Sequence, residues 1–143
     1  GRLGMDGRPR PVHVEHGKEV IQWDRTTKWV EKNLVNAIYE VEHNENYVEE
    51  HTGLHELEFI ETRRIWSDRT THHDTDGGVN MLNLVDGKEA VVESEDGSFA
   101  PFVVHYAETF IIPASVGKYT IRPYGDSEGQ KIGVIKAYVR KQC

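Results

Sequence analysis

The sequence predicts a mainly β fold, an antiparallel β-sandwich or small barrel over residues 55–141 that follows one or two helices. Two observations support this prediction. After residue 57, short runs rich in Val, Ile, Phe, Tyr and Thr are separated by Gly and Asp-Gly turns. The turns at Gly77-Gly78, Asp86-Gly87 and Asp96-Gly97 recur about every ten residues, a spacing typical of antiparallel strands joined by tight turns.

Two helices are predicted before the strands. The first helix ends at an apolar cluster formed by Val20, Ile21 and Trp23. In the second, apolar residues recur at roughly 3.6-residue spacing and form one stripe: Trp29, Val30, Leu34, Ala37, Ile38 and Val41. Residues 34–41 are also compatible with a strand. We therefore predict an N-terminal helical segment and connector over residues 1–50 and a β-sandwich domain over residues 51–143.

Three later stretches give the strand predictions in more detail. In GKYTIRP, Tyr119 and Ile121 face one side of a strand and the polar residues between them face the other. The stretch FVVHYAETFIIP is nearly all apolar and predicts one strand buried on both faces. KIGVIKAYVRK supplies a last strand, in which we expect Lys136 and Arg140 to be edge charges.

Composition narrows the range of partners. The net charge is −7, with 24 acidic and 17 basic residues, which disfavours nucleic acid and anionic membranes as partners. No apolar run approaches the roughly 18 residues of a membrane span. The one cysteine, Cys143, cannot form an internal disulfide or a cysteine-rich zinc module. We expect a cytoplasmic protein.

The eight histidines raise the question of a metal site, and their spacing favours other roles. His51 and His55 have the i, i+4 spacing of helical metal ligands, but Gly53 lies between them and a strand follows. His13 and His16 lie one helical turn apart and are also interpreted as non-ligands.

The remaining histidines of interest are His72, His73 and His105. The stretch TTHHDTDGG could form an oxygen and nitrogen site, and we interpret it as a solvated loop. His105 lies within the most apolar stretch and is predicted to be a hydrogen-bonded core histidine. An independent cupin metalloenzyme that uses His72, His73 or His105 is one open hypothesis. The sequence has no nucleophile elbow, P-loop or dinucleotide fingerprint, and it lacks the His-x-His and Glu signature of metal-binding cupins.

Three stretches in the same order resemble the class I, zinc-dependent mannose-6-phosphate isomerases. They are GRLGMDGRPRPVHVEHG, VNMLNLVDGKEAVVES and HYAETFIIPASVGKYTIRP. In the first, the matching residues are Gly1, Arg2, Asp6, Gly7, Pro9, Arg10, Val12 and His13. The other two resemble the C-terminal jelly roll of that family. The resemblance covers most of residues 1–23 and 57–125, and it implies a cupin-like antiparallel jelly-roll sandwich or barrel preceded by one or two helices.

The resemblance also implies a reaction, the interconversion of mannose 6-phosphate and fructose 6-phosphate through an enediol. Zinc would stabilise the developing negative charge, and a general base would carry the proton. The family's zinc ligands, and the arginine credited with catalysis, precede the position that Gly1 matches. We therefore expect a C-terminal part of such an isomerase, without catalytic residues or metal ligands of its own and inactive in isolation. The lack of a methionine before Met5 agrees with this expectation.

The resemblance names two substrate-binding candidates in this chain, Arg2 and His13. The Arg2 guanidinium suits a phosphate, and it matches a cationic position near the substrate in the family. His13 matches a recurrent family position, where a role in ordering the turn is favoured over contact with sugar. Arg10, between two prolines, is expected to anchor the loop by a salt bridge.

A charged stretch, HTGLHELEFIETRRIW, offers a further possibility. Arg63, Arg64 and Trp66 could bind an anionic sugar, or the two arginines could pair with nearby carboxylates. We favour the pairing, with the candidate partners Glu56, Glu58 and Glu61.

Two functions remain beside the independent metalloenzyme. One is a part of a mannose-6-phosphate isomerase that acts with an N-terminal catalytic half. The other is a non-catalytic, cupin-like module that binds a sugar or sugar phosphate. A homodimer through the apolar clusters at residues 20–23 and 29–30 is also expected.

Overall fold

The computed structural model describes residues 2–35, 38–53 and 59–140, and the chain divides into two compact units, Gly1–Val35 and Asn36–Cys143. Some predictions fall outside the described residues. They concern Gly1, Ala37, His55, Glu56, Glu58 and Cys143.

The N-terminal unit contains a turned loop and two short helices, α1 (Val14–Val20) and α2 (Thr27–Asn33). In the loop, the Arg10 N–H donates to the Arg2 carbonyl at 3.1 Å. Two helices were predicted, but the extension of the second to Val41 is wrong. Beyond α2, apolar residues alternate with glutamates at a period of two, which suits a strand better than a helix. Neither helix is long and apolar enough to span a membrane.

Ten strands make up the second unit within the described residues, and every pair of neighbours is antiparallel. They are β1 (Tyr39–His43), β2 (Tyr47–His51), β3 (Ile60–Ser67), β4 (Thr71–Asp74), β5 (Asn80–Asp86), β6 (Glu89–Ser94), β7 (Phe102–His105), β8 (Thr109–Ile112), β9 (Lys118–Pro123) and β10 (Ile132–Val139). One sheet has the order β1-β2-β3-β10-β5-β8, and the other has the order β4-β9-β6-β7. This is the predicted antiparallel jelly roll. Residues 39–50, assigned above to the N-terminal segment, contribute β1 and most of β2 to the larger sheet.

The predicted turn at Asp86-Gly87 carries the chain from one sheet to the other. Gly87 has a φ of 92°, a left-handed conformation that favours glycine. A Cβ at this position would lie 2.5 Å from Cγ2 of Ile132, which belongs to the core. The turn therefore requires glycine for both its backbone conformation and its packing.

Apolar side chains from both sheets form one core. The larger sheet contributes Leu82, Leu84, Ile112, Ile132 and Val134, and the smaller sheet contributes Ala90, Val92, Val104, Tyr119 and Ile121. The prediction that Tyr119 and Ile121 share a buried face is confirmed, since both are almost fully buried. This core provides the hydrophobic stabilisation of the barrel.

The stretch predicted as one strand over residues 102–113 forms two. β7 belongs to the smaller sheet and β8 to the larger one, and Ala107 between them has a φ of 64°. The Glu108 carboxylate accepts the His105 backbone N–H at 2.8 Å and stabilises the turn. A left-handed alanine carries no sequence signal for a turn, which explains the wrong prediction.

β10 was predicted to place its charges on an edge, and it lies in the middle of the larger sheet between β3 and β5. Its apolar residues Ile132 and Val134 therefore enter the core, and the residues two and four positions later continue along the same inner face. This correction brings Lys136 inside the barrel.

Because Leu84 is completely buried in the core, its truncation should lower the stability of the folded protein substantially. We expect Leu84→Ala to lower the free energy of unfolding by about 3 kcal/mol, because the cavity left behind cannot close fully. Met81, 50% exposed on the same strand, provides the control, and Met81→Ala should change stability by less than about 0.5 kcal/mol. Urea denaturation measures both, and equal losses would contradict the assigned inner face.

Candidate ligand-binding cavity

The inner face of the larger sheet becomes polar towards one end of the barrel. In the strand register, Lys136 lies opposite Arg63, Tyr138 lies opposite Glu61, and His51 lies opposite Arg63. Directly opposed residues of antiparallel strands project on the same face. Because Lys136 follows the core residues of β10, all five side chains lie on the inner face. We call them the inner polar cluster.

The Glu61 carboxylate lies at the centre of this cluster and is only 8% exposed. Its Oε1 contacts Nδ1 of His51 at 2.5 Å, and its Oε2 accepts from Nε of Arg140 at 2.8 Å. Burial raises the pKa of Glu61, but the His51 hydrogen bond and the charges of Arg63 and Arg140 outweigh burial and hold the pKa below its usual range. Glu61 is therefore an ionised, paired carboxylate.

Two nitrogens of the Arg63 side chain lack hydrogen bonds of good geometry to the described residues. Its Nε lies 2.7 Å from Glu61 Oε1 and its Nη1 lies 3.8 Å from Glu49. Within the described part of the chain, neither nitrogen has a hydrogen bond of proper geometry. The guanidinium is therefore paired electrostatically with Glu61, while two of its N–H groups lack a well-directed acceptor among the described residues.

Lys136 is largely buried, and burial lowers the pKa of its amine. The charge of Arg63 acts in the same direction, whereas Glu49 and Asp76 oppose it. The amine lies 5.5 Å from the centre of the Tyr138 ring, and no carboxylate of the described residues forms an ion pair with it. An amine in this state is suited to receiving an anion.

A cavity of about 440 Å³ opens between the β4–β5 loop and the end of β10. Its lining residues are Asp74, Thr75, Asp76, Gly77, Gly78, Asn80, Lys136, Tyr138, Val139 and Arg140. This volume is within the range of small-molecule sites in proteins. Asp74 and Asp76 are exposed, whereas Asn80 is almost completely buried. The cavity thus has an acidic, solvated side and a cationic inner side.

Two buried polar residues of the smaller sheet, His73 and Tyr119, lie next to the cavity residue Asn80 in the hydrogen-bond network rather than in the cavity lining. The His73 Nε2 contacts the Thr71 hydroxyl at 2.8 Å, and its ring stacks on Tyr119 at 5.2 Å. Tyr119 in turn accepts a hydrogen bond from Asn80 Nδ2 at 2.8 Å. Burial lowers the pKa of His73 to about 3, and the charges of Lys136 and His72 add to the effect. His73 is therefore neutral at ordinary pH.

The interpretation of His72 and His73 as a solvated loop is wrong. Both belong to β4, and successive side chains of a strand point to opposite faces. His72 faces solvent and contacts Glu95 Oε1 at 2.7 Å, whereas His73 faces the interior.

The zinc implied by the resemblance can be tested against these residues. Among the described residues, no group of three or more His, Cys, Asp or Glu side chains could hold a metal ion. His51 is directed to Glu61, and His73 is directed to Thr71. The described donor set does not fit zinc.

The predictions for the other histidines have mixed outcomes. His105 is hydrogen-bonded as predicted, through Nδ1 to Glu108 at 3.2 Å, but its side chain is 57% exposed and does not belong to the core. The turn that separates β7 from β8 explains this exposure. His13 and His16 are exposed, and their rings stack at 5.5 Å.

The pairing predicted for Arg63 and Arg64 is observed, but two of the partners, Glu49 and Glu50, were not among the predicted carboxylates. Arg63 contacts Glu61 as predicted, on the inner face. Arg64 points to the other face and donates from Nε to Glu50 Oε2 at 2.7 Å, an oxygen that also accepts from Trp66 Nε1 at 3.0 Å. The register of β2 against β3, which places Glu50 opposite Arg64, was not evident from the sequence.

The two substrate-binding candidates from the resemblance lie in the N-terminal unit. Arg2 and His13 are both exposed there, and no described hydrogen bond or ion pair joins their side chains. Their roles remain predictions. Arg10 forms no ion pair with any described residue, in contrast to the salt bridge expected for it.

Sequence reasoning missed the central residues of the cavity, Lys136 and Arg140, because it assigned them to an edge. The alternation of residues within β10 could have indicated that Lys136 faces inward. Ile132 and Val134 begin a period-two face that Lys136 and Tyr138 continue, so burial of the first pair implies that the second pair faces inward.

The buried His73 predicts a loss of stability in mild acid. Its folded pKa of about 3 is below the 6.5 of an unperturbed histidine, so the unfolded chain binds the proton first as the pH falls. The free energy of unfolding should therefore decrease by about 1.4 kcal/mol per pH unit below pH 6.5, or about 2 kcal/mol at pH 5. His73→Gln should remove this contribution in urea denaturation, and His72→Gln should retain it. Equal pH slopes in the two variants would contradict the assignment.

No protein-family model matches the chain, and no curated protein matches it. Similarity is found among solved structures. The mannose 6-phosphate isomerase from Bacillus subtilis is 15% identical with a TM-score of 0.64, over 96% of this chain and 38% of that one. This chain therefore spans well under half the length of that isomerase.

Two further structures are cupins. An RmlC-like cupin from Shewanella frigidimarina is 13% identical, with a TM-score of 0.55 over 76% of this chain and 89% of that one. A cupin-2 domain protein from Rhodospirillum rubrum is 10% identical, with a TM-score of 0.53 over 74% of this chain and 70% of that one. At these identities the likeness concerns the fold, and the chain has a cupin-like jelly-roll fold.

Proposed function

We propose that this chain is the C-terminal barrel part of a mannose-6-phosphate isomerase-like protein. The observation that carries the proposal is the extent of the structural likeness. The match to the Bacillus subtilis isomerase covers 96% of the chain, whereas the two cupins described above match 76% and 74%. The longer match requires the N-terminal unit as well as the barrel. It agrees with the resemblance of the first seventeen residues to the same family.

The described residues define the part that the chain would take in such a protein. Because they do not fit zinc, we assign no step of the isomerisation to them. In the proposal, an N-terminal half carries the metal and the proton transfer. The 143-residue chain contributes the folded barrel and, from its N-terminal unit, the candidate phosphate ligand Arg2.

A second candidate function is a non-catalytic module that binds a sugar or sugar phosphate. The cavity favours it, because its volume suits a small ligand and Lys136 and Arg140 line it. The two candidates differ in whether a zinc-binding half belongs to the same protein.

Enzyme assays on two lengths of the protein test the proposal. We expect the 143-residue chain to hold no stoichiometric zinc and to give no conversion of mannose 6-phosphate in a coupled assay. A longer chain that includes the upstream coding sequence should contain a Gln-x-His and a Glu, bind one zinc ion and catalyse the conversion. Elemental analysis and the coupled assay are run on both proteins.

Two results would contradict the proposal. Turnover by the 143-residue chain itself would show that its own residues perform the reaction. A coding sequence that starts near Met5, with no zinc ligands before it, would replace the isomerase by the binding module. As a control, the Leu84→Ala variant of the longer chain shows whether activity depends on a folded barrel.

A further inference from the structure

The inner end of the cavity carries more positive than negative charge. The permanent cations of this region are Arg63, Lys136 and Arg140, and the carboxylates that face them from β2 and β3 are Glu49 and Glu61. A third carboxylate, Asp76, acts on Lys136 from the outer side of the cavity. Glu61 contacts both arginines, so it leaves the amine of Lys136 without an ion pair among the described residues. A partly buried cation with no ion pair among the described residues is costly for the folded state, although Glu49 and Asp76 act on it from a distance. An anionic ligand would offset that cost.

The geometry directs such a ligand to Lys136. Lys136 and Arg140 line the cavity, whereas Arg63 lies behind it and adds only to the positive potential. Tyr138, which follows Lys136 on the inner face, offers a ring against which an apolar ligand face can pack. The lining therefore offers an anionic group the amine of Lys136, while Arg140, which is paired with Glu61, adds to the positive potential.

The outer side of the cavity favours hydroxyl groups. Asp74 and Asp76 line it and are exposed, and Asp74 Oδ1 accepts the Asp76 backbone N–H at 2.8 Å. Exposed carboxylates repel a second anionic group but accept hydrogen bonds from hydroxyls. A ligand that satisfies both sides carries one anionic group at one end and several hydroxyls at the other.

We infer that this cavity binds a hydroxylated carbon chain with a terminal oxyanion, a sugar phosphate or a sugar acid, with the oxyanion on Lys136. The inference deepens the proposed function, because it rests on the sugar-phosphate chemistry suggested there and assigns a site that is separate from Arg2. It does not depend on turnover. Failure of the isomerase assay therefore leaves it standing, and failure of binding leaves the isomerase proposal standing.

Calorimetric titration of the 143-residue chain provides the test. The probes are mannose 6-phosphate, mannonate and mannose. We expect at least one of the two anions to bind at least about tenfold more tightly than neutral mannose, as a charge-assisted contact requires. A preference for mannose 6-phosphate identifies the sugar-phosphate class, and a preference for mannonate identifies the sugar-acid class.

Substitution of Lys136 ties binding to the cavity. Lys136→Met should weaken binding of the preferred anion about tenfold or more, whereas Lys136→Arg should retain most of it. Lys131→Met is the matched control, because Lys131 is exposed and lies over Trp66 rather than in the cavity. Lys136→Met should also raise the melting temperature of the free protein, because it removes a partly buried cation that has no ion pair among the described residues. This gain shows that the variant is folded.

Three results would overturn the inference. They are equal binding of mannose and both anions, undiminished anion binding by a folded Lys136→Met variant, and an equal loss of binding in Lys131→Met. The melting temperature shows whether a loss of anion binding comes from unfolding. Retained binding by Lys136→Arg, which keeps the positive charge, then supports the assignment of the oxyanion to Lys136.

Discussion

The buried carboxylate of Glu61 is the contact on which the polar end of the barrel depends. It joins His51 of β2, Arg63 of its own strand and Arg140 at the end of β10, so three neighbouring segments share one negative charge. Without that charge, two guanidinium groups would face each other inside the protein. Because burying an unpaired charge is unfavourable, both guanidinium groups lie within ion-pair distance of the Glu61 carboxylate.

This arrangement is possible because the other end of the barrel is apolar. Residues such as Leu84 and Val92, which are completely buried, come from different sheets and belong to one core. The hydrophobic stabilisation of that core can compensate for a partly satisfied polar end. A jelly roll can therefore keep a binding cavity within its interior while remaining folded.

Much of the fold was predictable from local sequence. The strands and Gly turns follow from alternation and from residues such as Gly87, whose backbone conformation few other residues adopt. The division between β7 and β8 was not predictable, because Ala107 adopts the same kind of backbone without a sequence signal. The helix predicted to reach Val41 failed because its apolar residues fit both periods.

The cavity was less predictable, since it depends on which strands become neighbours. Placing β10 between β3 and β5 turns Lys136 from an edge charge into a partly buried amine on the inner face, and sheet order is not encoded in any single stretch. The register of β2 against β3 likewise selects the partner of Arg64. Alternation within β10 indicated a shared face but could not show that this face was the inner one.

The stability of a Glu61→Gln variant tests the account most directly. If Glu61 neutralises the inner cations, the substitution should lower the free energy of unfolding by about 3 kcal/mol or more. Glu93→Gln is the matched comparison, because Glu93 pairs with Arg122 at 2.9 Å with about a third of each side chain exposed. It should cost less than about 1 kcal/mol. A similar, small loss in both variants would contradict the central role of Glu61.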